Sequence, residues 1–222
     1  MSFPLLLLTD GRFPTGGYAH SGGLEAAIED GLGPDGIPAF LTGRLRGVTA
    51  SESALVVLAA RAARRGGFGR LLELDAEALA RCPSPPLRTA ASRLGSQLLR
   101  TAVEVWPRDE TLAAYRAASA ATPRPVAFGV VAAAASLDDA EAARAYVYEE
   151  ASGIAAAAVR LAAVGSARTA RWLVEATPLL EQVAAAAAAA CEDERQVPGG
   201  FAPALELRSL AHAAREARLF AS

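Results

Sequence analysis

Leu87, Ala91, Leu94, Leu98, Ala102 and Val105 recur at spacings of three and four, with Arg88, Ser92, Arg100 and Glu104 elsewhere on the wheel. That period marks an amphipathic helix, which opens at Ser84 with Pro85 in its first turn. The same logic, punctuated by starts and stops, runs along the whole chain. Thr49-Ala50-Ser51-Glu52 reads as a capping box whose helix stops at Arg65-Gly66-Gly67. Ser136-Leu137-Asp138-Asp139 reads as a second box, with Asp in place of Glu, opening a helical stretch to about Gly165. Further boundaries fall at Pro38, Pro107, Pro123-Arg124-Pro125, Ser166 and Thr177-Pro178. Strand signals are thin, because only three isoleucines occur and no Val/Ile/Thr alternation is bounded by turn pairs. The expectation is an all-α fold, one compact domain over residues 1–222 with about eight to ten helices.

At 222 residues the chain is large enough to bury a core without disulfide staples. Its formal net charge of -2 excludes a whole-protein field that would draw in nucleic acid or an acidic membrane, so partners must be met by local surface. Alanine makes up about a quarter of the residues, and each alanine buries little apolar area. A further interface would add to that modest burial, which favours a homodimer.

Cys82 and Cys191 form no CxxC and make no disulfide framework, which points to a reducing compartment. The opening MSFPLLLLTD lacks a basic region and a cleavage pattern, and the Val183–Ala190 stretch is far shorter than the ~20 apolar residues of a membrane span. The expected location is the cytoplasm.

Several chemistries are excluded by residue type. Lysine is absent, so there is no P-loop lysine to reach a phosphate, and the glycines at 11, 16, 17, 22 and 23 do not space as GxGxxG. Cys191-Glu192-Asp193-Glu194 offers metal-binding atoms, but neighbouring helical positions point in different directions, and a solvated acidic helix end explains them. Ala19-His20-Ser21-Gly22-Gly23 approximates a nucleophile elbow. With Asp138 or Asp139 and then His212 it gives the chain order of a serine hydrolase, the alternative enzyme reading. That reading needs strands before Ser21, which the sequence does not provide.

The stretch DGRFPTGGYAHSGGLE, residues 10–25, holds five of the nineteen glycines. Glycines at 16, 17, 22 and 23 permit positive φ or close backbone approach, Pro14 stiffens the entry, and Ser21 is placed to cap a helix carrying Leu24, Ala27 and Ile28. Leu24 at helical spacing equally fits a core position. At the other end, Gln196-Val197-Pro198-Gly199-Gly200 reads as a hinge before the tail FAPALELRSLAHAAREARLFAS, residues 201–222. In that tail Arg208, Arg215 and Arg218 are interleaved with Leu210, Leu219 and Phe220, a composition that suits an interface.

The leucines at 5–8, the segment Pro14-Thr15-Gly16-Gly17-Tyr18-Ala19-His20-Ser21-Gly22-Gly23-Leu24-Glu25, LRTAASRLGSQLLR at 87–100, RPVAFGVVAAAASL at 124–137, APALEL at 202–207 and the Arg218-Leu219-Phe220 ending together resemble the UreF family of urease accessory proteins. The resemblance spans nearly the whole chain. It implies an all-α homodimer that is not an enzyme and bridges a nickel-carrying GTPase of the UreG type and a scaffold of the UreD/UreH type docked on apo-urease. It further implies that nickel passes through the complex with no stably bound cofactor here, and that GTP belongs to the partner. Partner contacts are then expected from Pro14, Gly16, Tyr18, His20, Ser21, Gly22, Gly23, Leu24 and Glu25, and from Arg215, Arg218, Leu219 and Phe220.

Overall fold

The computed structural model describes residues 2–14, 17, 20–190, 197, 200, 202–214 and 220. Along the chain run α1 (Phe3–Leu8), α2 (Leu24–Glu29), α3 (Ile37–Arg44), α4 (Ala50–Arg64), α5 (Phe68–Ala80), α6 (Pro85–Val105), α7 (Glu110–Ala118), α8 (Arg124–Ala134), α9 (Asp139–Leu161), α10 (Ser166–Ala190) and α11 (Pro203–Ala213). No strand occurs among the described residues, so the fold is all-α as expected.

The core is organised on α4 and α8. Val56, Val57, Ala59 and Ala60 on α4, and Val126 through Ala132 on α8, are buried on every side, the pattern of helices enclosed by others. Small side chains allow this pair to approach closely, and a Cβ on Gly129 would lie 2.6 Å from the Ala59 Cβ. Helices α6, α9 and α10 pack around the pair. Across the edge of the core, the Tyr115 hydroxyl donates to Asp75 Oδ1 at 2.6 Å and pins α7 to α5.

Three local expectations are corrected. Thr49 does not cap a helix: its φ of -61 is helical, and α3 continues through a π turn at Leu45–Thr49 directly into α4. Nothing between Phe40 and Val48 breaks the helix, so the orphan amide groups that a capping box satisfies do not exist there. Ser136 likewise ends α8 instead of opening α9. With φ +58 it is the left-handed residue of a Schellman motif in which Leu137 N–H reaches Ala132 O at 2.9 Å. The cap of α9 is Asp138, whose carboxylate accepts from Glu141 N–H at 2.7 Å, and α9 ends at Leu161.

Pro178, read as a boundary, lies inside α10. The carbonyl it leaves without an amide belongs to Val174, which is 71% exposed and can be hydrated. The stop at Arg65-Gly66-Gly67 is as expected, with Gly66 at φ +65 and Gly67 N–H bonded to Ala62 O. Of the hinge, only Val197 and Gly200 are among the described residues, as is none of Cys191-Glu192-Asp193-Glu194. No helix among the described residues is long and apolar enough to cross a membrane.

Candidate functional site

The glycine-rich segment enters α2 through two left-handed residues, Gly22 at φ +63 and Gly23 at φ +87. A side chain at Gly23 would collide with Leu205 of α11, and one at Gly22 would meet Ile154 of α9 at 3.1 Å. Glycine is therefore needed for the left-handed turn, and the missing side chain leaves room for Leu205 of the C-terminal helix. Ser21 Oγ accepts from Glu25 N–H at 3.2 Å, so it satisfies an amide of the first turn of α2 as expected, although Gly23 holds the N-cap position.

From α2 the contacts lead to the tail. Glu25 is buried, and its Oε2 accepts from Phe220 N–H at 3.0 Å while His212 Nε2 lies 3.3 Å away. His212 Nδ1 stands 3.4 Å from Glu29 Oε2, and Arg208 pairs with Asp30 at 2.8 Å. The Arg160 guanidinium stacks over the Phe220 ring at 4.2 Å. On its other side α11 is tied to the start of α6, where Ser84 N–H donates to Glu206 Oε2 at 2.9 Å.

The two regions singled out in the sequence are thus one structural unit, joined at Glu25. The joining has a consequence for individual residues. Ser21, Leu24, Glu25 and Phe220 face inward, and Leu24 is fully buried, so these four build the junction and do not present themselves on the outer surface. The polar contact expected of Glu25 is made within the chain, because a buried carboxylate is costly unless hydrogen-bonded. Pro14 is exposed, its carbonyl accepting from Thr101 Oγ1 at 2.9 Å. Gly16, Tyr18, Arg215, Arg218 and Leu219 lie outside the described residues.

Behind the junction is a cavity of about 390 Å³, lined by His20, Gly22, Gly23, Leu205 and Glu206 and floored by a cluster of charged side chains. Arg44 donates to Glu150 Oε2 at 2.9 Å, Arg124 pairs with Glu149 at 2.6 Å and with Glu150, and the Tyr146 hydroxyl donates to Glu52 Oε2 at 2.9 Å. Arg124 also lies 5.0 Å above the Tyr146 ring. Burial alone would raise the Glu150 carboxyl, but the two guanidiniums outweigh it and hold the pKa at about 2. Glu52 goes the other way: burial raises its pKa, and the more distant Arg44, at 4.0 Å, does not offset this. Burial and the nearby Arg124 push His20 down to about 4, so its imidazole is neutral at pH 7.

This cluster escaped the sequence reading. Arg124 was visible only as a residue between two prolines, Glu52 as part of a capping box, and Glu149-Glu150 as polar positions on a long helix. The one available signal was a pair of acidic residues amid alanines on α9, set against an Arg at the start of α8.

The hydrolase alternative is not supported. Ser21 is buried and engaged with Glu25, Asp138 caps α9, Asp139 pairs with Arg61 and Arg64, and His212 sits between Glu25 and Glu29. No strand precedes Ser21 among the described residues. Nor does any group of three or more His, Cys, Asp and Glu among the described residues form a metal-binding arrangement.

If Glu25 is the joint between α2 and the tail, Glu25→Ala should free the tail without melting the core. The expected loss is about 1–2 kcal/mol, from the buried Phe220 amide left without its acceptor. Backbone amides of α11 after Pro203 should then exchange with deuterium faster while those of α4 and α8 stay protected. Unchanged protection in α11 would show that Glu25 does not hold it.

Comparison with known proteins agrees with this architecture from an independent direction. A family model described as UreF matches residues 33–177. The chain is 37% identical over 220 residues to the urease accessory protein UreF of Mycobacterium sp. (strain JLS), covering 98% of this chain and 97% of the relative. It is 38% identical over 223 positions to that of Mycolicibacterium vanbaalenii, with 98% and 97% covered. For the UreF protein of Paenarthrobacter aurescens the identity is 34% over 221 positions, with 97% and 95% covered. With likeness extending from the glycine-rich entry to the tail that it grips, the chain belongs to the UreF family of urease accessory proteins.

Proposed function

We propose that this protein is a cytoplasmic assembly factor that works as a homodimer and bridges a nickel-carrying GTPase of the UreG type and a scaffold of the UreD/UreH type on apo-urease. Nickel is cargo in this reading, GTP belongs to the partner, and the chain itself makes and breaks no covalent bond. The observation that carries the reading is likeness to urease accessory proteins named UreF over nearly the full length. The joined ends add support. A unit in which the N-terminal glycine turn and the C-terminal helix share one buried carboxylate presents both ends to a partner as a single shaped face. Exposed apolar side chains beside it, Leu207 at 68% and Leu210 at 47%, give that face anchors. Pro14 and His20 precede the junction in sequence, and the tail residues Arg215, Arg218 and Leu219 adjoin Phe220.

The test is co-purification of the full chain with the GTPase and the scaffold, compared with a chain lacking residues 201–222. The shortened chain is expected to lose the scaffold and to leave urease without activity in reconstituted maturation. Scaffold retention equal to that of the full chain would refute the bridging role of the tail.

A further inference from the structure

The described arginines are mostly neutralised within the fold. Arg12, Arg44, Arg61, Arg64, Arg70, Arg81, Arg124, Arg144, Arg168, Arg171 and Arg208 each lie within ion-pair distance of a carboxylate. Along the outer face of α6 the pattern changes. An open groove of about 770 Å³ runs between α6 and the Ala120-Ala121 turn, and its walls include Arg88, Arg93 and Arg100 but no Asp or Glu. These three arginines enter no ion pair with a described carboxylate. Arg88 donates to the carbonyls of Cys82 and Pro83, Arg100 contacts Gln97, and Arg93 is exposed.

The rest of the wall combines hydrogen-bonding groups, Thr89, Ser92, Ser96 and Gln97, with the apolar Leu79, Leu94, Ala120 and Ala121. In a protein with 24 acidic and 22 basic residues, such local segregation creates a positive strip on a chain whose overall field is weakly negative. The overall negative charge disfavours a nucleic-acid backbone, which gains affinity from many phosphates at once. An acidic protein segment needs only two or three matched charges.

We infer that the α6 groove is a docking surface for an acidic segment of a protein partner, whose carboxylates pair with Arg93 and Arg100. Those two arginines are seven residues apart on one helix, so their Cα atoms are separated by about 10.5 Å along its axis at 1.5 Å per residue. A partner helix meets that spacing with acidic residues seven apart, whereas an extended strand, whose same-face side chains recur about every 6.6 Å, does not. Hydroxyls of Ser92 and Ser96 flank the strip and complete the hydrogen bonding of each carboxylate. His20, neutral at pH 7, lies at the inner end of the groove and adds no charge there.

The inference deepens the assembly reading and rests on it for the identity of the partner, while the groove itself is tested separately. The probe is a fluorescein-labelled deca-glutamate peptide, followed by fluorescence anisotropy at low and high salt. The full chain should bind it in a salt-weakened manner. Arg93→Glu/Arg100→Glu should weaken it by about tenfold or more with an unchanged helical spectrum, whereas Arg108→Glu/Arg116→Glu, two exposed arginines outside the groove, should change it about twofold or less. Equal losses from the two double variants would make the effect one of net charge and overturn the groove. Binding of a labelled deca-thymidylate that is lost in the groove variant, with no peptide binding, would make it a nucleic-acid site and also overturn the proposal.

Co-purification with the GTPase and scaffold separates the two levels. A wild-type chain that retains neither partner sinks the assembly reading, and the peptide still decides the groove. A groove variant that retains both partners at the wild-type level overturns the groove as a docking surface while the assembly reading stands.

Discussion

Gly95→Ala is expected to destabilise the protein by at least about 3 kcal/mol, although the same change at an exposed helical position is stabilising by up to about 1 kcal/mol. The added Cβ would overlap the Thr122 carbonyl oxygen and stand 3.0 Å from the Thr122 carbonyl carbon and 3.2 Å from the Arg124 amide nitrogen. All three are backbone atoms, so no rotamer change relieves the clash. The obstructed segment is also constrained already: Thr122 has φ +36, its amide donates to Ser119 Oγ at 3.0 Å, and two residues later α8 begins. Moving it would displace Arg124 and the buried cluster that depends on it. Gly43→Ala is the internal control, because a Cβ there meets nothing within 4 Å. Thermal unfolding should fall by roughly 2–4 °C per kcal/mol lost for a chain of this size, so the two variants should move in opposite directions. Equal melting temperatures for the two variants would show that α6 and the turn before α8 are not in contact.

Arg124→Met is expected to cost about 3–5 kcal/mol at neutral pH, because it strips the counter-charge from Glu149 and Glu150, two carboxylates largely withdrawn from solvent. The effect has a defined pH dependence. In the folded protein the Glu150 carboxyl titrates at about 2, against 4.5 for an unperturbed glutamate. Between those values the unfolded chain binds the proton and the folded chain does not, so stability from this pair is complete above about pH 5 and disappears as pH falls toward 2. Removing Arg124 removes that contribution, so the gap between variant and wild type should be widest near pH 7 and narrow toward pH 3. Glu52, raised by burial, titrates in the opposite sense: its contribution is present at low pH and is lost as the pH rises through its folded value. It therefore cannot mimic the Glu150 profile. Urea unfolding across this range decides the matter, and a pH-independent gap would mean that Arg124 contributes packing alone.

The groove and junction predictions address binding; these two address the scaffold beneath it. They meet at α8, whose first residue is the buried arginine and whose Gly129 lets it lie against α4. A face assembled on such a base is held in place by the core, as the proposed assembly role requires.

Helix boundaries show where local reading succeeds and fails. The start at Ser84-Pro85 and the stop at Gly66 depend on proline and glycine geometry within a few residues, and both stand in the structure. Thr49 and Ser136 have the right chemistry for a cap, yet their neighbours decide otherwise. The helix before Thr49 never ends, and Ser136 is consumed in closing α8. Pro178 is tolerated inside α10 where the residue whose carbonyl it orphans, Val174, is exposed.

The chain by itself determined its helical class, its division by prolines and glycines, and the glycine turn that opens α2, because period and backbone freedom are local properties. Only the tertiary structure decided that Glu25 turns inward to hold Phe220, that Arg44, Glu52, Arg124, Tyr146, Glu149 and Glu150 meet in one buried cluster, and that the α6 arginines are left without carboxylate partners among the described residues. Those residues come from distant positions, and the sign and burial of a charge are set by what the fold places beside it.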